Sequence, residues 1–477
     1  MSIDTVSHKT KLMVKSIAWY TISNVLLRSV SLITSPIFTR LLSTSDYGIV
    51  SNFQTWTQLI GCITGLGLGT AIIRGKVEFG EDFKEFLSSV QTLGFISAIS
   101  ALIICLPFLR ELSQFMVLDQ FCIIFMLIYL VFSPSVTFMQ INYRFEYKYK
   151  KNILIAVFNT LGNVVCSITL ILMWTDKRYF GRIIGTSIPM LLLGIVFFVK
   201  IFHDGKIFYN KGYWKYALRL GLLIIPHSLA MIALGQIDRI MIIRMCGESE
   251  AGIYSFGYAY AIVIGMLTNA INEGIQPEIY DLIQKKAYKN LNIMTRNICL
   301  IVSAIGFAMI LFGPEALKIL GTESYYEARW VIFPIVIGSI FQLMYQNYAC
   351  VEIYAKDTKI IAVGSILAAL INIVLNYIFI PIYGYFIAGY TTLAGYFFLM
   401  VFHFWGARKV MKGEKIFIGR DIVLLSVTLI VGGMFCNLCY FLEDYVRYLV
   451  LVLLIFMTIW KERTFISKYF GKTKNYK

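Results

Sequence analysis

The fold class predicted by this chain is an all-α, polytopic membrane protein, and three observations carry the prediction. Hydrophobic residues make up 58% of the 477 positions and charged residues only 15%, with a mean hydropathy of +0.72; an ordinary soluble chain is about 25% charged. Apolar windows long enough for a helix to cross about 30 Å of hydrocarbon recur along the whole chain. The charge is strongly uneven: 43 Lys and Arg against 27 Asp and Glu leave a formal net charge of +16.

Fourteen windows qualify, at about 16–37, 47–73, 88–109, 117–141, 152–174, 180–199, 217–241, 251–275, 295–313, 328–352, 360–380, 384–405, 421–441 and 445–460. The connections, the longest near 75–87, 200–216 and 276–294, are too short for a soluble domain. The first window is too long for a cleaved signal and lacks a small-residue cleavage site, so it reads as a retained span. With Met1 on the cytoplasmic side, inside segments hold 32 Lys and Arg, outside loops nine, and the spans only Arg28 and Arg239. Short loops rich in Lys and Arg stay inside, so both termini are expected in the cytoplasm. The excess charge is thus an orientation signal toward an anionic inner leaflet and not a sign of nucleic acid.

A gapless shift of 204 residues lays Arg40–Thr64 on Arg244–Thr268 with eight of 25 positions identical, among them Ser45/Ser249, Gly48/Gly252 and Gly61/Gly265. A second echo sets Asn159-x-x-x-Asn163 beside Asn372-x-x-x-Asn376. Six spans separate the copies, so the halves keep one orientation and are parallel repeats about an axis along the membrane normal. The expected organisation is an N-terminal lobe over 1–205, a C-terminal lobe over 206–412, and a segment at 413–477 with two extra helices and a basic tail.

Polar residues recur at helical spacing within spans. Thr21, Asn24, Arg28, Ser31 and Ser35 share one face of the first. Ser51, Gln54, Gln58, Gly61 and Gly65 do so in the second. Ser255, Tyr258, Gly265, Asn269, Asn272 and Gln276, with Glu273 adjacent, do so in the eighth. Two readings fit such stripes: a water-filled cavity lined by spans one, two, seven and eight, or small-residue and amide contacts between helices. Arg28 lies about twelve residues into its span, where a guanidinium costs about 2.5–3.5 kcal/mol even on the permissive insertion scale. It requires either an acidic partner, with Asp238 and Glu273 the candidates, or an anionic ligand such as a phosphate, which suits its planar fork of donors. Asp238 and Arg239, toward the outer end of span seven, pair locally or sit at a cavity rim. Arg74 either snorkels at the inner end of span two or meets an entering head group.

Other signals fail on inspection. Gly471-Lys472-Thr473 imitates the end of a phosphate loop, but position 466 is Ile. Gly65, Gly67 and Gly69 fall within a span and read as close helix packing. His8, His203, His227 and His403 show no metal spacing, the nine cysteines imply no disulfide scaffold, and no catalytic constellation emerges.

Three stretches carry a family resemblance. They are Pro36–Gly48 with Gly67–Arg74, Asp238–Ile242 with Gly252–Ser255, and Ala355–Lys359 leading to Asn372, Asn376, Ile380-Pro381, Gly384 and Gly389. In this order they resemble the Wzx-type lipid-linked oligosaccharide flippases (O-antigen and related lipopolysaccharide and polysaccharide exporters) of the multidrug/oligosaccharidyl-lipid/polysaccharide exporter superfamily. The resemblance implies a MATE-like pair of six-helix lobes around a cationic cavity, plus two C-terminal helices that echo the peptidoglycan-precursor flippases. It implies a non-enzymatic flippase of the bacterial plasma membrane that moves an undecaprenyl-pyrophosphate-linked glycan to the outer leaflet by alternating access. No resident cofactor is expected, only coupling to a proton or sodium gradient, with Asp238 and Glu273 as candidate residues. Arg28 matches the intramembrane cation of such flippases. Asn24, Arg74, Arg239, Asn269 and Asn272 complete the expected substrate-binding set, and a polysaccharide polymerase machinery is the expected neighbour. The rival readings are a multidrug cation antiporter of the same fold and an integral-membrane polysaccharide polymerase.

Overall fold

The computed structural model describes residues 34–411, 414, 416–454 and 456. Among these, eleven helices are long and apolar enough to cross a membrane, and a bent pair supplies a twelfth. The spans expected second through thirteenth each coincide with one of these. The first lies largely outside the described residues, and the fourteenth is described only as far as 454 and at 456.

The bent pair is α1 (Thr44–Thr64) and α2 (Leu68–Glu78), which the sequence reads as one continuous span. A capping box starts α1: the Ser43 hydroxyl accepts from the Asp46 backbone N–H while the Asp46 carboxylate accepts from that of Ser43. The two helices meet at 46°, because Gly67 adopts a left-handed φ of +63°, a conformation that costs a residue with a Cβ. The same glycine lies so close to Gly221 that an added Cβ would stand 2.4 Å from its carbonyl oxygen. The 65–69 glycines therefore make a corner, and Gly67 also gives the close packing expected of them.

The chain forms two compact units. The first holds the described residues up to Ile232 together with Gly247–Gly252. After α2 come α3 (Phe83–Cys105), the short α4 (Leu109–Met116), α5 (Gln120–Phe145), α6 (Tyr149–Met173) and α7 (Arg178–Gly205). The unit also takes the first part of α8 (Lys211–Met245) and the opening turn of α9 (Glu248–Gln284). Two apolar clusters build most of its described core. One gathers Ile72, Phe86, Val90 and Val136 under Phe79, Tyr213 and Tyr216, with the Phe79 and Phe86 rings 4.5 Å apart. The other gathers Phe53, Cys122, Met126 and Leu127.

The second unit holds Ala233–Cys246 and everything described from Ile253 onward. Besides the rest of α8 and α9, it contains α10 (Tyr288–Leu311), α11 (Gly313–Leu320), α12 (Arg329–Tyr354), α13 (Thr358–Tyr383), α14 (Ile387–Val410) and α15 (Gly419–Leu438). Helix α12 is its axis: nearly every residue from Val331 to Glu352 is buried, and α14 packs along it most closely. Leu223, Leu370 and Val423 stay exposed, as lipid-facing side chains of a span do. Helices satisfy every mid-segment backbone group internally, which is the condition for crossing hydrocarbon.

Candidate functional site

The strongest constellation in the second unit is built on Asp238, from the C-terminal part of α8. Asp238 has no exposed surface, so its carboxylate must find all its donors within the protein. Tyr254 of α9 donates from its hydroxyl to Oδ2 at 2.5 Å. Thr392 of α14 donates to the same oxygen at 2.7 Å. Asn376 of α13 donates from Nδ2 to Oδ1 at 2.7 Å. A second layer holds these donors: Thr391 donates to the Asn376 side-chain oxygen, and Asn372 donates to Thr392 at 3.2 Å. Asn372 and Asn376 are themselves fully buried. Four helices thus converge on one carboxylate, which accepts from two hydroxyls and one amide nitrogen.

Arg239 does not pair with its neighbour. Its guanidinium donates to the Gly235 carbonyl at 3.1 Å and stacks over the Tyr258 ring at 4.3 Å. Of the two readings of Asp238-Arg239, the local ion pair is therefore not formed, and Asp238 stands in a sealed polar core instead of at a rim. Consecutive helical residues point about 100° apart, which is why the two side chains part company.

The eighth-span stripe divides between core and surface. Ser255 and Tyr258 are buried, as contacts between helices. Asn269 is exposed and accepts from Gln346 of α12 at 2.8 Å. Asn272 is half-buried beside Cys350, and Glu273 is exposed.

In the first unit, Gln54, Thr57 and Gln58 of α1 face Tyr129, Thr186 and Ser187 across a cavity of about 170 Å3. A second cavity of about 340 Å3 runs past Gly61, Gly65, Tyr129 and Ser133. Gln54, Gln58, Gly61 and Gly65 of the second-span stripe therefore line open space, against the fourth and sixth spans and not the seventh and eighth, while Ser51 is buried. Arg182 of α7, counted among the outside loops in the sequence, instead reaches inward. Its Nη1 donates to Asn163 Oδ1 and Ser167 Oγ, both at 3.0 Å, and its guanidinium lies 3.6 Å from the centre of the Phe38 ring. The second asparagine of each echoed pair thus serves an opposite charge, Asn163 a guanidinium in the first unit and Asn376 a carboxylate in the second. Arg74 is exposed on α2. Beside it Lys76 donates to Asn142 at 2.8 Å and lies 3.7 Å from Glu146, which Lys148 contacts at 2.6 Å. Asn24 and Arg28 lie outside the described residues.

The duplication has a structural counterpart at the start of α1, within the first unit. A shift of 204 carries Thr44 onto Glu248 and Ser45 onto Ser249. In the fold Thr44 hydrogen-bonds Ser249 at 2.8 Å and Ser45 donates to Glu248 at 2.5 Å. The bonds are reciprocal, as a local two-fold relation requires.

Comparison with known proteins agrees with this architecture. The model of a family described as polysaccharide biosynthesis protein matches residues 13–283. An uncharacterized membrane protein of Haemophilus influenzae is 22% identical over 373 residues, covering 75% of this chain and 88% of its own. Among solved structures, a lipid II flippase, MurJ, in an inward closed conformation superposes with a TM-score of 0.72 at 14% identity, covering 94% of this chain and all of that one. An inward-facing multidrug resistance MATE family transporter of the MOP superfamily superposes with a TM-score of 0.64 at 15% identity, covering 84% and 99%. The chain has the MATE and MurJ fold, and it belongs to the polysaccharide biosynthesis protein family.

Proposed function

We propose that this multi-pass protein is a flippase that carries a polyprenyl-pyrophosphate-linked oligosaccharide, the repeat unit of a surface polysaccharide, from the inner to the outer leaflet by alternating access. The observation that carries the reading is a polysaccharide-biosynthesis family match over more than half of a chain whose fold is that of transporters. In this reading the protein sits in a bacterial plasma membrane with both termini cytoplasmic. The pyrophosphate enters from the inner leaflet past Arg74 and pairs with Arg28, and Asn24 and the Gln54/Gln58 stripe contact the glycan. The polyprenyl tail stays in lipid, and the polymerase machinery receives the product.

Asp238 is the residue we assign to ion coupling. A sealed carboxylate at this depth is costly unless a cation neutralises it. One carboxylate beside the hydroxyl oxygens of Tyr254 and Thr392 fits a proton or a sodium ion; hard cations take oxygen ligands. Asn269, Asn272 and Glu273 then line the path of the cargo, and Arg239 positions α8 through Tyr258.

Arg28→Ala tests the reading, with the membrane level of the variant verified. Lipid-linked glycan should accumulate on the cytoplasmic leaflet and surface polysaccharide should be lost. Intact glycan with new sensitivity to cationic drugs would instead establish the multidrug antiporter.

A further inference from the structure

A second buried ionisable pair lies in the second unit, away from the Asp238 cluster. Glu352, near the end of α12, and His403, in α14, are both without exposed surface, and Glu352 Oε2 lies 2.7 Å from His403 Nδ1. The other heteroatom of each, Glu352 Oε1 and His403 Nε2, is buried without a hydrogen-bond partner. Each of these atoms looks onto a glycine. A Cβ at Gly406 of α14 would stand 2.1 Å from Oε1, and one at Gly364 of α13 would stand 3.0 Å from Nε2. Aromatic rings close the rest: Tyr345 stacks over the imidazole at 5.5 Å, and Phe402 meets it edge-on at 5.6 Å.

The charge count decides what such a pair holds. A carboxylate beside a neutral imidazole carries a net charge of −1 with no countercharge in contact, the costly state in a low-dielectric interior. One added proton makes the pair net neutral, either as carboxylate and imidazolium or as carboxylic acid and imidazole; the proton belongs to the pair. Among the described residues, the other ionisable groups at this end do not supply the missing charge. Asp357, in the turn between α12 and α13, is acidic and adds to the negative charge felt at Glu352. Lys356, Lys359 and Lys409 are exposed, and Arg408 is half-buried over the Phe404 ring. Tyr345 faces the pair with its ring plane.

We infer that Glu352 and His403 form a proton-binding site that takes one proton from water and returns it to water when the α12–α14 contact loosens enough to hydrate Oε1 and Nε2. The only bonds made and broken are O–H and N–H. The unpartnered atoms are the two that a proton or its accompanying water would meet, and the glycines leave space there that a larger residue would fill. The site is separate from Asp238 and does not depend on what cargo the protein carries.

The test uses the full chain in detergent with isotope-labelled histidine rings, and it needs no substrate. The chain has four histidines, so His8→Asn, His203→Asn and His227→Asn together leave His403 as the one signal without altering the pair. Across the pH range in which the protein stays folded, the ring should pass through one protonation or tautomer change. Infrared spectra should report the matching change at a carboxyl, absent in Glu352→Gln. A ring fixed in one tautomer across that range, with no carboxyl change, would overturn the inference and leave a static hydrogen bond. If Glu352→Gln fails to fold, the ring titration in the intact pair still decides. Loss of glycan translocation in Asp238→Asn with the His403 titration unchanged would separate this site from the flippase reading.

Discussion

Asn376 donates to Asp238 at 2.7 Å across 138 positions of sequence, with neither residue exposed. This bond ties α13 to α8, and the second unit closes around it. Removing the donor leaves Asp238 Oδ1 short of one hydrogen bond in a site water does not reach. Asn376→Leu should therefore destabilise the protein by about 1–3 kcal/mol, read as a lower midpoint of thermal unfolding in detergent. Asp238→Asn with Asn376 retained should cost less stability and more transport, because it removes the charge and keeps the shape. Equal transport in Asp238→Asn and the parent would remove Asp238 from the coupling role.

The contact of Gly48 with the opening turn of α9 predicts a steric phenotype. A Cβ at Gly48 would stand 2.0 Å from the Glu248 carbonyl oxygen, and one at Gly252 1.9 Å from that of Thr44. Both obstacles are backbone, so the helices must separate. In a background with the free cysteines replaced, Thr44→Cys and Ser249→Cys should cross-link readily, and adding Gly48→Val should abolish the cross-link. Unchanged cross-linking in the triple variant would contradict the close approach.

Arg182 predicts a difference between Lys and Ala replacements. A lysine keeps the charge but loses the planar guanidinium that lies over Phe38 while its Nη1 reaches both Asn163 and Ser167. Arg182→Lys and Arg182→Gln, which keeps neither the charge nor the length, should therefore lower the unfolding midpoint, each by no more than Arg182→Ala. Three indistinguishable midpoints would mean that the α6–α7 junction does not depend on this side chain.

The turn after α5 predicts a pH dependence. Burial pushes the Glu146 carboxyl up, but its hydrogen bond and ion pair with Lys148, and the charge of Lys76, outweigh burial and hold it below the ordinary carboxylate range. The hydrogen bond and charge of Glu146 in turn raise Lys148. A carboxyl lowered on folding stabilises the protein above its unfolded value, about 4.3, and that contribution disappears as pH falls through the lower folded value. Glu146→Gln should therefore lower the unfolding midpoint at neutral pH, and the gap to the parent should vanish in acid. A gap independent of pH would assign the effect to shape and not to charge.

Much of this protein is legible in its residue order. The spans follow from apolar length, because a helix must cover the hydrocarbon with its own side chains. The helical spacing of Gln54 and Gln58 places them on one face, and in the fold that face lines a cavity. The repeat of Ser45 and Gly48 at Ser249 and Gly252 foreshadows the reciprocal bonds at the start of α1. Asn372 and Asn376 are visible as a motif without a task, and His403 reads as an isolated histidine.

Residue order thus specifies the membrane class, the helices of the second to the thirteenth span and the internal duplication, all of which depend on neighbours within a few turns or on a register that can be counted. Helix packing specifies the rest: the corner at Gly67, the sealing of Asp238, the inward turn of Arg182 and the meeting of Glu352 with His403. Periodicity defines a helix face but not the face it meets. A buried carboxylate acquires its donors from helices more than a hundred residues away, and that pairing is set by the packing of whole helices.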